Sequence, residues 1–170
     1  PPDAFLQATR EGQELLTKAV LENIGNASQI ADLFCGIGTY SFPLARTAKV
    51  HAVEGSAKMI ASVKQAITQH KLQQVMRCET RDLFKNPLTV AELNTFDAVV
   101  INPPRVGAKA QIELLAKSNV QKIVMVSCNP ATWARDAKIL RSAGYALISA
   151  QGIDQFVYSP HMEMVSVFAR

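Results

Sequence analysis

Apolar residues along the chain fall into two rhythms, and the rhythms take turns. Over residues 8–23 they recur every three or four positions, with Leu15, Leu16, Ala19 and Val20 on one side, which predicts an amphipathic helix. Residues 28–34 predict a first strand, which "CGIGT" interrupts. A short helix over 40–47 and a second strand over 49–54 follow. Ser56 can cap a long helix running to about His70. Residues 74–79 predict a third strand and 95–101 a fourth, nearly all apolar as buried parallel strands are. The pattern continues with a helix over 109–118, a fifth strand over 122–126 and a helix over 131–143 that Gly144 can end. Two last strands, 145–151 and 164–169, flank the loop "GIDQFVYSPHME".

Strands alternating with helices imply a parallel sheet covered by helices, and neither repeats nor low-complexity linkers interrupt it. One domain over 1–170 is therefore expected. Composition agrees: 48% of residues are apolar and 19% charged, a globular balance and not a disordered one. No apolar run is long enough for a membrane helix, and no secretory signal pattern is present. The chain begins at Pro1 without a methionine, so a fragment of a longer protein is expected. Cys35, Cys78 and Cys128 make neither a disulfide framework nor a CxxC metal pattern, so no metal and a reduced cytoplasmic setting are expected. The net charge of +4 suits an anionic partner without demanding one.

The unusual residues share one position on this map. "CGIG" follows strand one, Glu54 and Gly55 close strand two, and Thr80 to Asp82 follow strand three. "NPPR" follows strand four and "SCNP" follows strand five. All lie at carboxyl ends of strands, the edge where open parallel sheets bind ligands. Core packing alone favours neither edge.

In "DLFCGIGTYSFPLA", Gly36 and Gly38 allow a tight turn and a close approach to a ligand. The third glycine of the dinucleotide fingerprint and the lysine of the triphosphate loop are both missing. Glu54 closes the next strand, where a carboxylate can bind ribose hydroxyls. A plain chain reversal with a solvated Glu54 would fit these residues equally well. If a nucleoside binds, G-x-G with a strand-two carboxylate suits S-adenosylmethionine (SAM), which has no pyrophosphate.

"DLFCGIGTYSFPLA", "INPPRVGA", "VSCNPATWARD" and "HMEMVSVFAR", in that order, resemble the SAM-dependent RNA uracil-C5 methyltransferases that act on tRNA and rRNA. The opening "AFLQAT" resembles that family's Phe-Phe-Gln-x-Asn segment, so the likeness runs from Phe5 to the C-terminus. "SCNPAT" and HxE are specific elements of it, whereas G-x-G is not. The resemblance implies a Rossmann-like class I SAM-dependent methyltransferase fold, with a seven-stranded, mostly parallel sheet, the last strand antiparallel, and helices on both faces. Family members usually carry an RNA-binding domain and a central domain upstream, and some an iron–sulfur cluster.

The resemblance also implies roles. Cys128 would be the nucleophile that adds to C6 of uracil, splitting one hard step into easier ones. It sits just before a predicted helix, whose N-terminal dipole would favour the thiolate. Glu163 would be the general base that removes the C5 proton, with His161 positioning it. Gln7, Phe34, Gly36, Gly38, Thr39, Glu54, Asn102 and either Thr80 or Asp82 would hold SAM. Arg105, Lys109 and Arg135 would contact RNA phosphates. Trp133 is read as packing its helix, and Cys35 and Cys78 as packing residues. The implied partner is tRNA or rRNA, with no membrane, and the chain is expected to be monomeric.

Two departures stand out. The family's Phe-Pro-His-Thr is replaced at Phe156, Val157, Tyr158 and Ser159, and its aspartate in Asp-Pro-Pro-Arg is Asn102 here. Asn-Pro-Pro also marks SAM enzymes that methylate exocyclic amino groups of adenine or guanine. That reading leaves Cys128 and Glu163 without roles. A SAM-binding or RNA-binding module that has lost activity is the third alternative, and the retention of Cys128 and Glu163 argues against it.

Overall fold

A computed structural model describes residues 10–153 and 163–170. Gln7, the segment around Phe5, His161 and residues 156–159 lie outside the described residues.

The order of elements is α1 (Arg10–Ile24), β1 (Gln29–Leu33), α2 (Ser41–Leu44), β2 (Lys49–Glu54), α3 (Ala57–Gln69), β3 (Met76–Thr80), α4 (Val90–Leu93), β4 (Ala98–Ile101), α5 (Lys109–Leu115), β5 (Lys122–Ser127), α6 (Pro130–Ser142), β6 (Ala146–Ile153) and β7 (Glu163–Ala169). The seven strands make one sheet in the order β3-β2-β1-β4-β5-β7-β6. β1 to β5 pair in parallel, and β7 runs antiparallel to both of its neighbours. The expected seven-stranded α/β sheet with a reversed last strand is what forms.

Alternation along the central strands divides the core in two. Val100, Val124 and Val126 face one side, with Val20 of α1, Leu44 of α2 and Ile60 of α3. Val99, Ile123 and Met125 face the other, with Leu93 of α4, Ile112 of α5 and Leu140 of α6. The strands carry apolar residues at successive positions because both faces are covered. Side chains of β4 and of Ile123 to Val126 in β5 are at most 1% exposed.

Local chemistry sets the ends. Ser56 Oγ accepts from Met59 N and starts α3 as read. Gly144 at φ +94 lies just past α6. Phe34 ends β1 with φ +59, a left-handed conformation uncommon for a bulky side chain. The fourth strand is shorter than its apolar pattern because Thr95 N and Phe96 N turn back to Glu92 O and Leu93 O at the end of α4, and Asp97 ties the strand to β1. Its Oδ2 accepts from Ser28 N, Ser28 Oγ and Gln29 N at 2.7–2.9 Å and fastens the start of β1.

Candidate active site

The order of the sheet reverses between β1 and β4, and there the loops leaving the two strands diverge. A cavity of about 610 Å³ lies at that point, within the range of small-molecule sites. Its wall takes residues from after β1, β2, β3, β4 and β5 and from the first position of β7. The carboxyl edge picked out by the sequence is thus a single concave site.

Backbone bonds continue past the strands and draw these loops together. Cys35 N donates to Val53 O, Arg81 N to Glu54 O and Asn102 N to Leu33 O, at 2.9–3.1 Å. The glycine turn closes through Gly38 N to Cys35 O at 2.9 Å. Gly38 has φ +89, and an added Cβ would come within 2.7 Å of the Phe42 ring. Only glycine satisfies both the conformation and the space.

Glu54 holds this turn. Its Oε2 accepts from Gly36 N at 3.1 Å and its Oε1 from Ser56 N at 2.9 Å. Each oxygen keeps acceptor capacity towards the cavity. Phe34 and Phe84 meet with ring centroids 5.3 Å apart and line the apolar part of the wall. Asp82 also lines it, and its Oδ1 accepts from Phe84 N at 3.0 Å. This apolar sleeve, ending in a carboxylate and a glycine turn, suits a nucleoside with a charged tail.

Cys128, Arg105, Asn102 and Glu163 close the other end of the cavity. Cys128 follows β5, and Asn129 caps α6 by accepting from Ala131 N and Thr132 N. Glu163 reaches the cysteine because β7 is reversed. Met164 pairs with Ser127, so the first residue of β7 lies beside the residue after β5. Glu163 is 3% exposed, and burial raises its pKa above the ordinary carboxylate value while Arg105 lowers it. Burial and then the charge of Glu163 push the Cys128 thiol up, against the pull of Arg105. The thiol therefore stands between the opposing charges of Glu163 and Arg105. Two of the N–H groups that would act on the sulfur are taken by the Asn129 side chain, and Arg105 supplies the nearby positive charge.

The structure thus gathers Phe34, Gly36, Thr39, Glu54, Asp82, Asn102, Arg105, Cys128 and Glu163 around one cavity. Gly38 acts behind the wall. Thr80 lies on β3 outside the wall, paired with Glu54 in the ladder, so Asp82 is the better placed of the two alternatives. Arg135 also lies outside it. Its guanidinium pairs with Asp136 and donates to Val106 O. Lys109 pairs with Glu113 at 3.7 Å. Trp133 packs as read, and its Nε1 donates to Ser166 Oγ at 2.9 Å. Ile37, Met59, Leu83 and Phe84 line the cavity without having been singled out. Phe84, an exposed aromatic two residues past Asp82, was the available signal.

Tyr40 also lines the cavity, and its OH and Asp32 Oδ1 are buried without a hydrogen-bond partner among the described residues. Also among the described residues, no three His, Cys, Asp or Glu side chains are grouped to hold a metal, and no helix is long and apolar enough to cross a membrane.

Comparison with known proteins agrees with this geometry. Residues 2–170 match the family model described as tRNA (uracil-5-)-methyltransferase. An uncharacterized RNA methyltransferase of Rhizobium meliloti is 46% identical over 170 residues, covering all of this chain and 41% of that protein. The 23S rRNA (uracil(1939)-C(5))-methyltransferase of Dichelobacter nodosus is 36% identical over 175 residues, 99% of this chain and 41% of that one. The chain thus spans about two fifths of the length of these curated relatives. Among solved structures, the Pyrococcus abyssi tRNA (uracil-54, C5)-methyltransferase in complex with S-adenosyl-L-homocysteine superposes with a TM-score of 0.86 at 26% identity, over 99% of this chain and 41% of that chain. The magnesium protoporphyrin IX methyltransferase of Synechocystis, with bound SAM, shares the fold at a TM-score of 0.71 and 17% identity, over 96% of this chain and 80% of that chain.

Proposed function

The chain belongs to the tRNA (uracil-5-)-methyltransferase family, and from that premise we propose that it carries the catalytic domain that methylates C5 of a uridine in tRNA or rRNA through a covalent adduct on Cys128. The observation that carries this reading is the convergence of Cys128, Arg105 and Glu163 at one end of a cavity whose other end suits a nucleoside.

SAM, when bound, supplies an electrophilic methyl group. The Phe34 and Phe84 rings would flank its nucleoside part, and Glu54 would take its ribose hydroxyls. The target uridine leaves its stack to reach the cavity. Cys128 loses its proton to solvent water and its sulfur adds to C6, which moves an electron pair to C5 and the C4 carbonyl. Arg105 favours the thiolate by its charge. The electron-rich C5 would accept the methyl group, the sulfonium sulfur leaving as a neutral thioether. Glu163 then takes the C5 proton. The released pair restores the C5–C6 double bond and expels Cys128. Burial raises the affinity of Glu163 for protons, which suits a carboxylate acting as base near neutral pH.

The test is RNA carrying 5-fluorouridine at the target, incubated with SAM and the protein that carries this domain. The fluorine cannot leave as a proton does, so the RNA should stay attached to Cys128. Cys128→Ser should abolish the adduct. With ordinary RNA, Glu163→Gln should let the adduct accumulate. Methyl groups found on an amino nitrogen of adenine or guanine would overturn the reading.

A further inference from the structure

The loop after β4 is fastened to the start of α6 by side chains. Asn129 Nδ2 donates to Arg105 O at 3.0 Å, and Thr132 Oγ1 donates to the same oxygen at 3.1 Å. Arg135 Nη2 donates to Val106 O at 3.2 Å, and Ala108 N donates to Asp136 Oδ2 at 3.0 Å. Asp136 is 1% exposed and holds the Arg135 guanidinium at 2.8 Å. Gly107, at φ +75, lies so close that an added Cβ would fall 2.4 Å from that guanidinium.

Asn129 differs from the other members of this set. It adjoins Cys128, and its two side-chain atoms do different work. Oδ1 caps α6, and Nδ2 reaches across to the main chain of Arg105. Serine and aspartate cap helices about as well as asparagine. Ionised aspartate has no donor, and serine has one short hydroxyl in place of the amide's two separate arms. Capping therefore accounts for one half of the Asn129 side chain and leaves the other unexplained.

We propose that Asn129 is a positioning residue that ties the loop carrying Cys128 to the loop carrying Arg105 and so holds the guanidinium at the thiol. The inference rests on the methyl-transfer reading above for the role of Cys128. Among the described residues, the charged groups facing the thiol are Arg105, from the loop after β4, and Glu163, from the start of β7. They act in opposite directions, so the thiol's readiness to ionise depends on how closely Arg105 is held. Loosening the Arg105 loop leaves Glu163 in place and removes the favourable partner.

The test follows alkylation of Cys128 by iodoacetamide against pH, read by peptide mass spectrometry on the protein without RNA or SAM. Asn129→Ser keeps a cap and loses the cross-loop donor. Its labelling curve should move up by about one pH unit, a roughly tenfold loss of labelling near neutral pH. Thr132→Val, which removes the other bond to Arg105 O, should move the curve the same way by less. SAM affinity and melting temperature should match the parent in both. Unmoved curves in both variants overturn the proposal. A shift that appears only with a fallen melting temperature and lost SAM binding also overturns it, because Asn129 would then be a cap alone. Failure of the parent to form the fluorouridine adduct would count against the methyl-transfer reading and leave the labelling result standing.

Discussion

Ser41 Oγ donates a 2.5 Å hydrogen bond to Asp32 Oδ2 in the buried core directly behind the glycine turn. One such bond does not offset the loss of water. Burial raises the Asp32 pKa from 3.8 to about 7, the Ser41 bonds oppose the rise, and Glu54 adds to it. Between those values the folded protein holds a proton that the unfolded chain has lost. Stability should therefore fall as pH rises from about 4 to about 7 and change no further from this group above that. Asp32→Asn should flatten this slope. It should match the parent near pH 4 and exceed it by about 4 kcal/mol near pH 8. Urea unfolding at the two pH values checks this, and equal parent stability at both would contradict it.

Tyr40 carries a second unrewarded group. Its hydroxyl is buried with no partner among the described residues. A buried hydroxyl left unpaired costs about 1–3 kcal/mol. Tyr40→Phe should stabilise the ligand-free protein by about 1 kcal/mol and raise its melting temperature by about 2–4 °C. A thermal melt decides it, and a lower melting temperature would show that the hydroxyl is satisfied in solution.

At Gly38, conformation and space both exclude a side chain. Gly38→Ala should cost about 2–4 kcal/mol, from the positive φ and from the overlap with Phe42. It should also weaken SAM binding, because the turn is held to Glu54. Denaturant unfolding and calorimetry give the two numbers. Parent-like values would mean that the turn has room to shift.

Asn102 lines the cavity beside Arg105 and Cys128. Its amide oxygen can accept from uracil N3–H, and an aspartate would accept the same proton with a charge-assisted bond about twice as strong. Asn102→Asp should raise the single-turnover methylation rate about fivefold. A drop to background would mean that the amide NH2 contacts a carbonyl, since an ionised aspartate cannot donate.

The parts of the fold legible in the sequence were those written in local chemistry. Ser56, Gly144 and the unbroken apolar runs of β4 and β5 each signal an element through adjacent residues. The stretch from Arg81 to Leu93 was read less fully. Thr89 and Glu92 form a capping box that starts α4, a T-x-x-E signal that was present and missed. Arg81 binds Glu92 at 2.6 and 3.1 Å and holds that carboxyl down at about pKa 2, a long-range pairing with no local signature. The site followed the same division. Glycines, Glu54 and Cys128 stand at strand ends and could be placed. Glu163 was expected in a loop, and its burial at the head of a strand depends on the pairing of β7 with β5 and β6. Met59 and Leu83 reach the cavity through packing, which residue type alone does not announce.

The reversed β7 has a consequence for how this enzyme class can diversify. Six backbone pairs, from Lys122 with Ala169 to Ser127 with Met164, fix where β7 begins. A strand of that length spans about 20 Å, so in parallel orientation its first residue would stand at the far side of the sheet from Cys128. A slip of one position would turn Glu163 to the opposite face. The separation of Cys128 and Glu163 is therefore set by the ladder between β5 and β7, and sequence change elsewhere leaves it fixed for as long as that register holds.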